Sequence, residues 1–361
     1  MSVRKYLALV FDGMAKGLFA SLIVGTIIAQ IGSLLGNIDN DFVGVIALGL
    51  EQIGRAAQLM MGPAIGAGVA MKRAVGTDSS IKPFTLLGAV AAGALGAGTL
   101  NFVDGGIAVA SVGVGDPHGA LLAVLLAVEL VRRVEGRTKF DLLIIPTIVI
   151  TIGGAVGLII TPFITAVMAR FGEFVVRITD LHTLPMSILI AVIIGITLTL
   201  PIISSAALCI AISIGTGANS EIGTIAAGAA LAGCSAQMVG FAVMSFRENK
   251  VSGLISQGIG TSMIQMPNII KNPWIWLPPI IASAIAGPIS AVVFSLRTTN
   301  VGAGMGTSGL VGPFQTIYAM GMSAFIPMIL AYVVLPAAVC LVLSELMRKK
   351  GWIKPGDLKL V

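Results

Sequence analysis

The sequence predicts an all-α polytopic membrane protein of about eight to ten transmembrane helices with two re-entrant hairpins. Three observations predict it. Of 361 residues, 56% are hydrophobic and 11% are charged, with a mean hydropathy of +1.01, whereas a soluble domain carries about 25% charged residues. Glycine is frequent, 45 in all, which suits helices that pack closely and break inside the bilayer. Apolar runs alternate with basic clusters, in the way cytoplasmic loops punctuate membrane spans.

The elements follow in order. Residues 3–15 mix Arg4, Lys5 and apolar side chains, as an amphipathic N-terminal helix would, and 16–36 reads as the first span. The link from Asn37 to Asp41 has no Lys or Arg. A second segment covers 42–71 and ends at Lys72-Arg73; its Glu51 and Arg55 lie one helical turn apart, either as a surface ion pair or as an interior one. The third, 83–113, is broken by Asn101-Phe-Val-Asp104-Gly-Gly106. The fourth, 119–131, ends in Arg132-Arg133, and the fifth covers 141–168. Residues 169–181 read as a surface amphipathic piece, 184–203 as the sixth span and 222–246 as the seventh. A broken segment at Gly260, a span at 275–296, a glycine-rich stretch at 302–312 and a last span at 320–346 follow. Residues 348–361 form a basic tail. With bases at both ends and none in the first loop, both termini are expected in the cytoplasm. No long polar linker interrupts the chain, so 1–361 reads as one membrane domain. The N-terminus lacks a small-residue cleavage site and is expected to be retained.

Composition also excludes functions. No basic face survives outside the loops, which argues against nucleic acid. Two histidines, His118 and His182, are too few for a histidine-built metal site. Cys209, Cys234 and Cys340 share no ligand spacing and read as small buried hydrophobes. The run Gly302-Ala-Gly-Met-Gly lacks the strand and acid of a dinucleotide loop. Glu129 and Glu135 read as solvated loop-edge charges, and Trp274 and Trp276 as interface aromatics.

The chemistry concentrates in Gly260-Thr-Ser-Met-Ile-Gln-Met-Pro-Asn268. Irregular backbone at membrane depth must be buried in protein or line a wet cavity, and polar side chains there are costly unless they bind something. Thr261, Ser262, Gln265 and Asn268 are therefore candidate ligand contacts. Gly258-Ile-Gly-Thr-Ser262 recurs as Gly304-Met-Gly-Thr-Ser308, and paired broken elements around one site are a transporter device. Thr307 and Ser308 join the candidates on that ground, with Gln315 a weaker one. Gln237, beside Ser235, is either a substrate contact or interhelical glue. Asp104 is either a substrate contact or a cap on free N–H groups, and Asn101 shares its break. Asp116-Pro-His118 reads as a helix start, with His118 the alternative hydroxyl-binding group.

The order of segments resembles the membrane subunit, enzyme IIC, of the phosphoenolpyruvate-dependent phosphotransferase systems (PTS), within it the fructose-like and stand-alone, toxin-regulator-like branch. The residues carrying the likeness are Gly233-Cys-Ser-Ala-Gln-Met-Val-Gly-Phe-Ala242, Gly253 through Asn268, Gly302 through Gly312, and the block from Gly115-Asp-Pro-His118 to Ile145-Pro146. The resemblance implies a homodimer in a bacterial cell membrane, a sugar held between helices and two re-entrant hairpins, and a soluble IIB partner that phosphorylates it. It also implies an acid in a Gly-Ile-(Thr/Ser)-Glu type motif, where this chain has Gln265 and Met266. The polar Asp-Met-Gly-Gly-type segment is here Thr197-Leu-Thr-Leu-Pro201. An amide orients a hydroxyl but is no base, which argues against coupled phosphoryl transfer. The expectation is a carrier of a small neutral polyol or sugar, or else a sensor that binds a small or lipid-like ligand without moving it. No catalytic residue, metal or cofactor is expected.

Overall fold

The computed structural model describes residues 3–36, 38, 40–75, 82–103, 106–109, 115–137, 139–200, 205–216 and 220–360. The chain divides into two compact units, Met1–Ala166 and Val167–Val361. Among the described residues, five helices are long and apolar enough to cross a membrane: Lys5–Leu35, Asp141–Ile178, Glu221–Met244, Pro273–Val293 and Met322–Lys349. Three shorter apolar helices accompany them at Pro83–Thr99, Pro117–Val131 and Thr183–Thr199.

In the first unit, α1 (Val3–Leu18) passes through a π-turn into α2 (Val24–Leu35). Residues 3–15 are thus helical and continuous with the first span. They pack on α4 (Met61–Val75) because Gly13 and Gly17 face Gly68 and Ala64; a Cβ on Gly13 would lie 2.5 Å from the Gly68 carbonyl. Small residues four apart permit this approach. The expected second segment is two helices, α3 (Asp41–Leu59) and α4, parted at Met60. Pro63 is the reason: it has no N–H for the Leu59 carbonyl, so the helix restarts. Glu51 and Arg55 form a 3.8 Å ion pair on the surface of α3, a weak contact.

Helix α5 (Pro83–Ala94) ends in a π-turn at Leu95–Thr99, and the chain then makes a hairpin of β1 (Leu100–Val103) and β2 (Gly106–Val109), with Asn101 opposite Ala108. The expected break is thus a β-hairpin. Asp104 and the Asn101 side chain lie outside the described residues. Helix α6 (Pro117–Val131) starts as expected, with the Asp116 carboxylate accepting from His118 N–H at 2.9 Å and Pro117 in the first turn. Glu129 and Glu135 are half-buried and paired as well as reached by solvent. Glu129 accepts from Tyr6 at 2.9 Å and from Arg73, tying α6 to α1 and α4, and Glu135 accepts from Thr85 at 2.6 Å.

The fifth span and the 169–181 piece are one helix, α7 (Asp141–Ile178), which continues past Pro146 and Pro162. Proline is tolerated in apolar helices where neighbours or local adjustment satisfy the freed carbonyls. At 1.5 Å per residue its 38 residues span about 57 Å, well over a bilayer core of about 30 Å.

The second unit is organised around α10 (Glu221–Met244), nearly every residue of which is buried. Helices α8 (Thr183–Thr199), α9 (Ser205–Thr216), α13 (Leu277–Pro288) and α17 (Leu335–Lys349) all pack on it. Its run of Ala and Gly makes this possible: a Cβ on Gly233 would lie 1.9 Å from the Ala191 carbonyl of α8. Helix α9 occupies residues the sequence reading left unassigned. After α10 come α11 (Phe246–Ile255), the broken segment, α12 (Met266–Lys271), α13, the short α14 (Asn300–Ala303), α15 (Val311–Met320), and α16 (Phe325–Ile329), which a π-turn joins to α17.

Candidate functional site

The break at Gly260 is built from local chemistry. Helix α11 runs into a π-turn, Ser256–Gly260, and Thr261 then adopts an extended conformation (φ −160°, ψ 146°). Its hydroxyl accepts from Met263 N–H at 3.2 Å, capping the short 3-10 turn Ser262–Gln265. Pro267 stands in the first turn of α12, where its missing N–H costs nothing. The polar side chains of this segment are turned inward: Thr261, Ser262, Gln265 and Asn268 are all buried.

Two polar networks radiate from the break. In the first, the Ser262 and Thr199 hydroxyls lie 2.8 Å apart. Thr199 donates to Gln237 Oε1 at 3.3 Å, and Trp276 Nε1–H donates to the same oxygen at 2.9 Å. The Gln237 amide donates to Ser283 at 3.2 Å, and Ser283 donates to the Pro279 carbonyl at 2.8 Å. Gln237 on α10 thus gathers the end of α8, the break, the turn before α13 and α13 itself. Trp276, half-buried, is a member of this network.

In the second network, Gln257 donates to Ser245 at 2.7 Å and accepts from Gln265 at 2.9 Å, and Gln265 accepts from Asn268 at 2.8 Å. The remaining donor of Gln265 goes to the Leu358 carbonyl at 3.0 Å, and that of Asn268 to the Lys359 carbonyl at 2.9 Å. No ionisable side chain belongs to either network, so each is a set of neutral donors and acceptors.

The second Gly-Thr-Ser sequence meets the first. The Thr307 hydroxyl donates to the Gly258 carbonyl. Gly306 holds φ +57°, and a Cβ there would lie 2.9 Å from Met238 Sδ on α10; glycine takes this conformation without steric cost. Leu310 holds φ +59° two residues after Ser308, a conformation unfavourable for a bulky side chain. The Ser308 and Ser235 hydroxyls are buried with no hydrogen-bond partner. Buried polar atoms are nearly always paired, so these two are available to a ligand or a water. Gln315 accepts from Thr299 at 2.7 Å.

Of the expected residues, the structure brings Gln237 together with Ser262, Gln265 with Asn268, and Thr307 with the backbone of the first break. Thr261 is a cap. His118 belongs to the first unit, where its Nδ1 lies 2.6 Å from the Asp116 carboxylate that also caps α6. Thr199, Gln257 and Ser283 are network members that the sequence reading did not single out. The signal was present: each is a polar residue inside an apolar run. Among the described residues no three His, Cys, Asp or Glu side chains cluster as metal ligands. A cavity in the second unit, lined by Val243, Phe246, Arg247, Leu254 and Leu341, touches none of the expected residues.

No curated protein matches the sequence. Among solved structures, the chain is similar to the transporter ChbC, the IIC component from the N,N'-diacetylchitobiose-specific phosphotransferase system, with 13% identity, a TM-score of 0.41, and coverage of 97% of this chain and 96% of that one. A family model described as phosphotransferase system, EIIC, matches residues 9–360. With that match over nearly its whole length, and with helices of membrane-spanning length and composition, the chain belongs to the PTS EIIC family and is a multi-pass membrane transport component.

Proposed function

We propose that this IIC subunit carries a small neutral sugar or polyol, bound where the two Gly-Thr-Ser breaks meet α10. Thr261, Ser262, Gln265, Asn268, Thr307, Ser308 and Gln237 supply the hydrogen-bonding groups. One observation carries the reading: four buried neutral side chains, from Thr199, Gln237, Ser262 and Ser283, and the half-buried Trp276 converge on one point beside irregular backbone. A polyhydroxy ligand needs donors and acceptors in such a mixture, and a polyanion would need a cation. Amides and hydroxyls can orient a sugar hydroxyl, and none of them can take its proton. The subunit therefore binds and releases its substrate without activating it for phosphorylation.

The same reading places the protein in a bacterial cytoplasmic membrane as a homodimer, both termini cytoplasmic, with a soluble IIB protein as an optional partner. Purified protein in liposomes, with and without IIB, is expected to exchange at least one radiolabelled neutral hexose or hexitol, and Gln237→Leu is expected to abolish that exchange. Exchange of none of them under either condition would sink the carrier reading. A second reading, a sensor that binds without transport, is favoured by Gln265 standing where the resemblance implies an acid. It is distinguished by saturable sugar binding with no movement across the bilayer.

A further inference from the structure

The segment after α17 does not trail away from the protein. From Trp352 to Leu360 it lies across the broken segment and is held by four side-chain amides. Asn249 donates to the Leu358 carbonyl at 2.8 Å and accepts from Leu360 N–H at 2.8 Å. Gln265 and Asn268 donate to the Leu358 and Lys359 carbonyls. Asn272 donates to the Trp352 carbonyl at 2.8 Å and to the Asp357 carboxylate at 2.7 Å. Five of these six bonds go to main-chain atoms of the segment. Ile353 and Leu358 are buried (2% and 0% exposed), and the Trp352 ring lies 4.8 Å from that of Trp274.

We propose that Trp352–Leu360 is an internal strap that competes with ligand for the amides of the site. The carbonyls of Leu358 and Lys359 are acceptors on the very donors, Gln265 and Asn268, that a sugar hydroxyl oxygen would use. The strap is suited to release. It has no regular secondary structure of its own, and it bends at Gly351 (φ +74°) and Gly356 (φ +91°). Five of its six anchors are neutral hydrogen bonds, each worth about 1 kcal/mol net, the sixth goes to the Asp357 carboxylate, and two buried aliphatic side chains accompany them. Strap bound, the broken segment is locked and its donors are taken. Strap released, Gln265 and Asn268 are free to hold substrate. The ligand half of this proposal rests on the substrate reading above; the coupling of strap to break does not.

Hydrogen–deuterium exchange of the full chain in nanodiscs tests it. Asn249→Leu removes two strap bonds and leaves Gln265 and Asn268 in place. It is expected to raise exchange in residues 352–360 and in 256–271 together by about tenfold, the factor for losing one to two net hydrogen bonds. Residues 226–240 of α10 should be unchanged. Asp357→Ala, a change in the strap alone, is expected to act in the same direction, and it serves if Asn249→Leu disturbs α10. A chain ending at Lys350 should show the same exposure, reversed by adding a synthetic peptide of residues 351–361. Exposure of 352–360 with no change in 256–271 overturns the strap. So does a truncated chain whose broken segment exchanges as slowly as the full one. If the truncated chain binds radiolabelled neutral sugars more tightly than the full chain, competition is supported; equal binding overturns it. Coupled exchange with no sugar bound by either form supports the strap and overturns the substrate reading instead.

Discussion

Gln237 is the residue on which the site turns. Its one oxygen accepts from Thr199 and Trp276, and its amide reaches Ser283; all but the half-exposed Trp276 are buried. Gln237→Leu leaves the indole N–H of Trp276 without a partner and takes one bond each from Thr199 and Ser283, which keep Ser262 and the Pro279 carbonyl. The stranded donor costs about 1–3 kcal/mol, so thermal unfolding in detergent should shift down clearly. Thr199→Val removes a single hydroxyl and should cost about 1 kcal/mol by the same measurement. Gln265→Glu places a carboxylate against the Leu358 carbonyl and Asn268 in a buried position. We expect lower stability and no gain of sugar phosphorylation when a IIB protein is supplied; phosphosugar in the assay would contradict the account. The pair Arg348–Glu248, joined at 2.9 Å with side chains only 12% and 10% exposed, makes the opposite kind of test. Arg348→Met strands a nearly buried carboxylate and should cost about 3–5 kcal/mol, read as loss of monodisperse protein.

At the scale of elements, close approach between helices depends on missing Cβ atoms. A Cβ on Gly233 would overlap the Ala191 carbonyl at 1.9 Å, so Gly233→Ala must push α8 from α10. That shift should cost about 1–3 kcal/mol and displace Thr199 from Gln237, so uptake should fall further than the unfolding temperature suggests. Much at this scale was legible in the sequence. The Asp116-Pro start of α6, the breaks at Asn101 and Gly260, and the bounds of α10 all follow from caps, prolines and glycines. The errors have physical causes. Pro63 near the start of α4 divides what hydropathy joins, because a missing N–H leaves no trace in an apolar average. Pro162 inside α7 divides nothing: the helix runs on through it although the proline is exposed. The pairing of Glu129 was not legible because Tyr6 and Arg73, which bind it, are distant in sequence.

For the whole molecule, a chain with few charges and many glycines limits the choice to a membrane bundle with broken helices, and the family match and the apolar helices agree. The sequence also marked the two Gly-Thr-Ser stretches, and the structure joins them through Thr307 and Gly258. It did not reveal which partners those polar groups hold. Thr199, Gln257, Ser283 and the carbonyls of Leu358 and Lys359 come from elements far apart along the chain, and backbone carbonyls carry no sequence signature. The docking of the tail is the clearest case: residues 348–361 read only as a basic tail, yet Leu358 is fully buried. The central claim, that neutral substrate sits at the meeting of the two breaks, is tested most directly by photo-crosslinking. Purified full-length protein would be labelled with a panel of diazirine-bearing hexoses and hexitols, and the sites mapped by mass spectrometry. The account predicts label within 256–271 and 302–310 that excess unlabelled sugar removes. Competable label confined to other segments would contradict it.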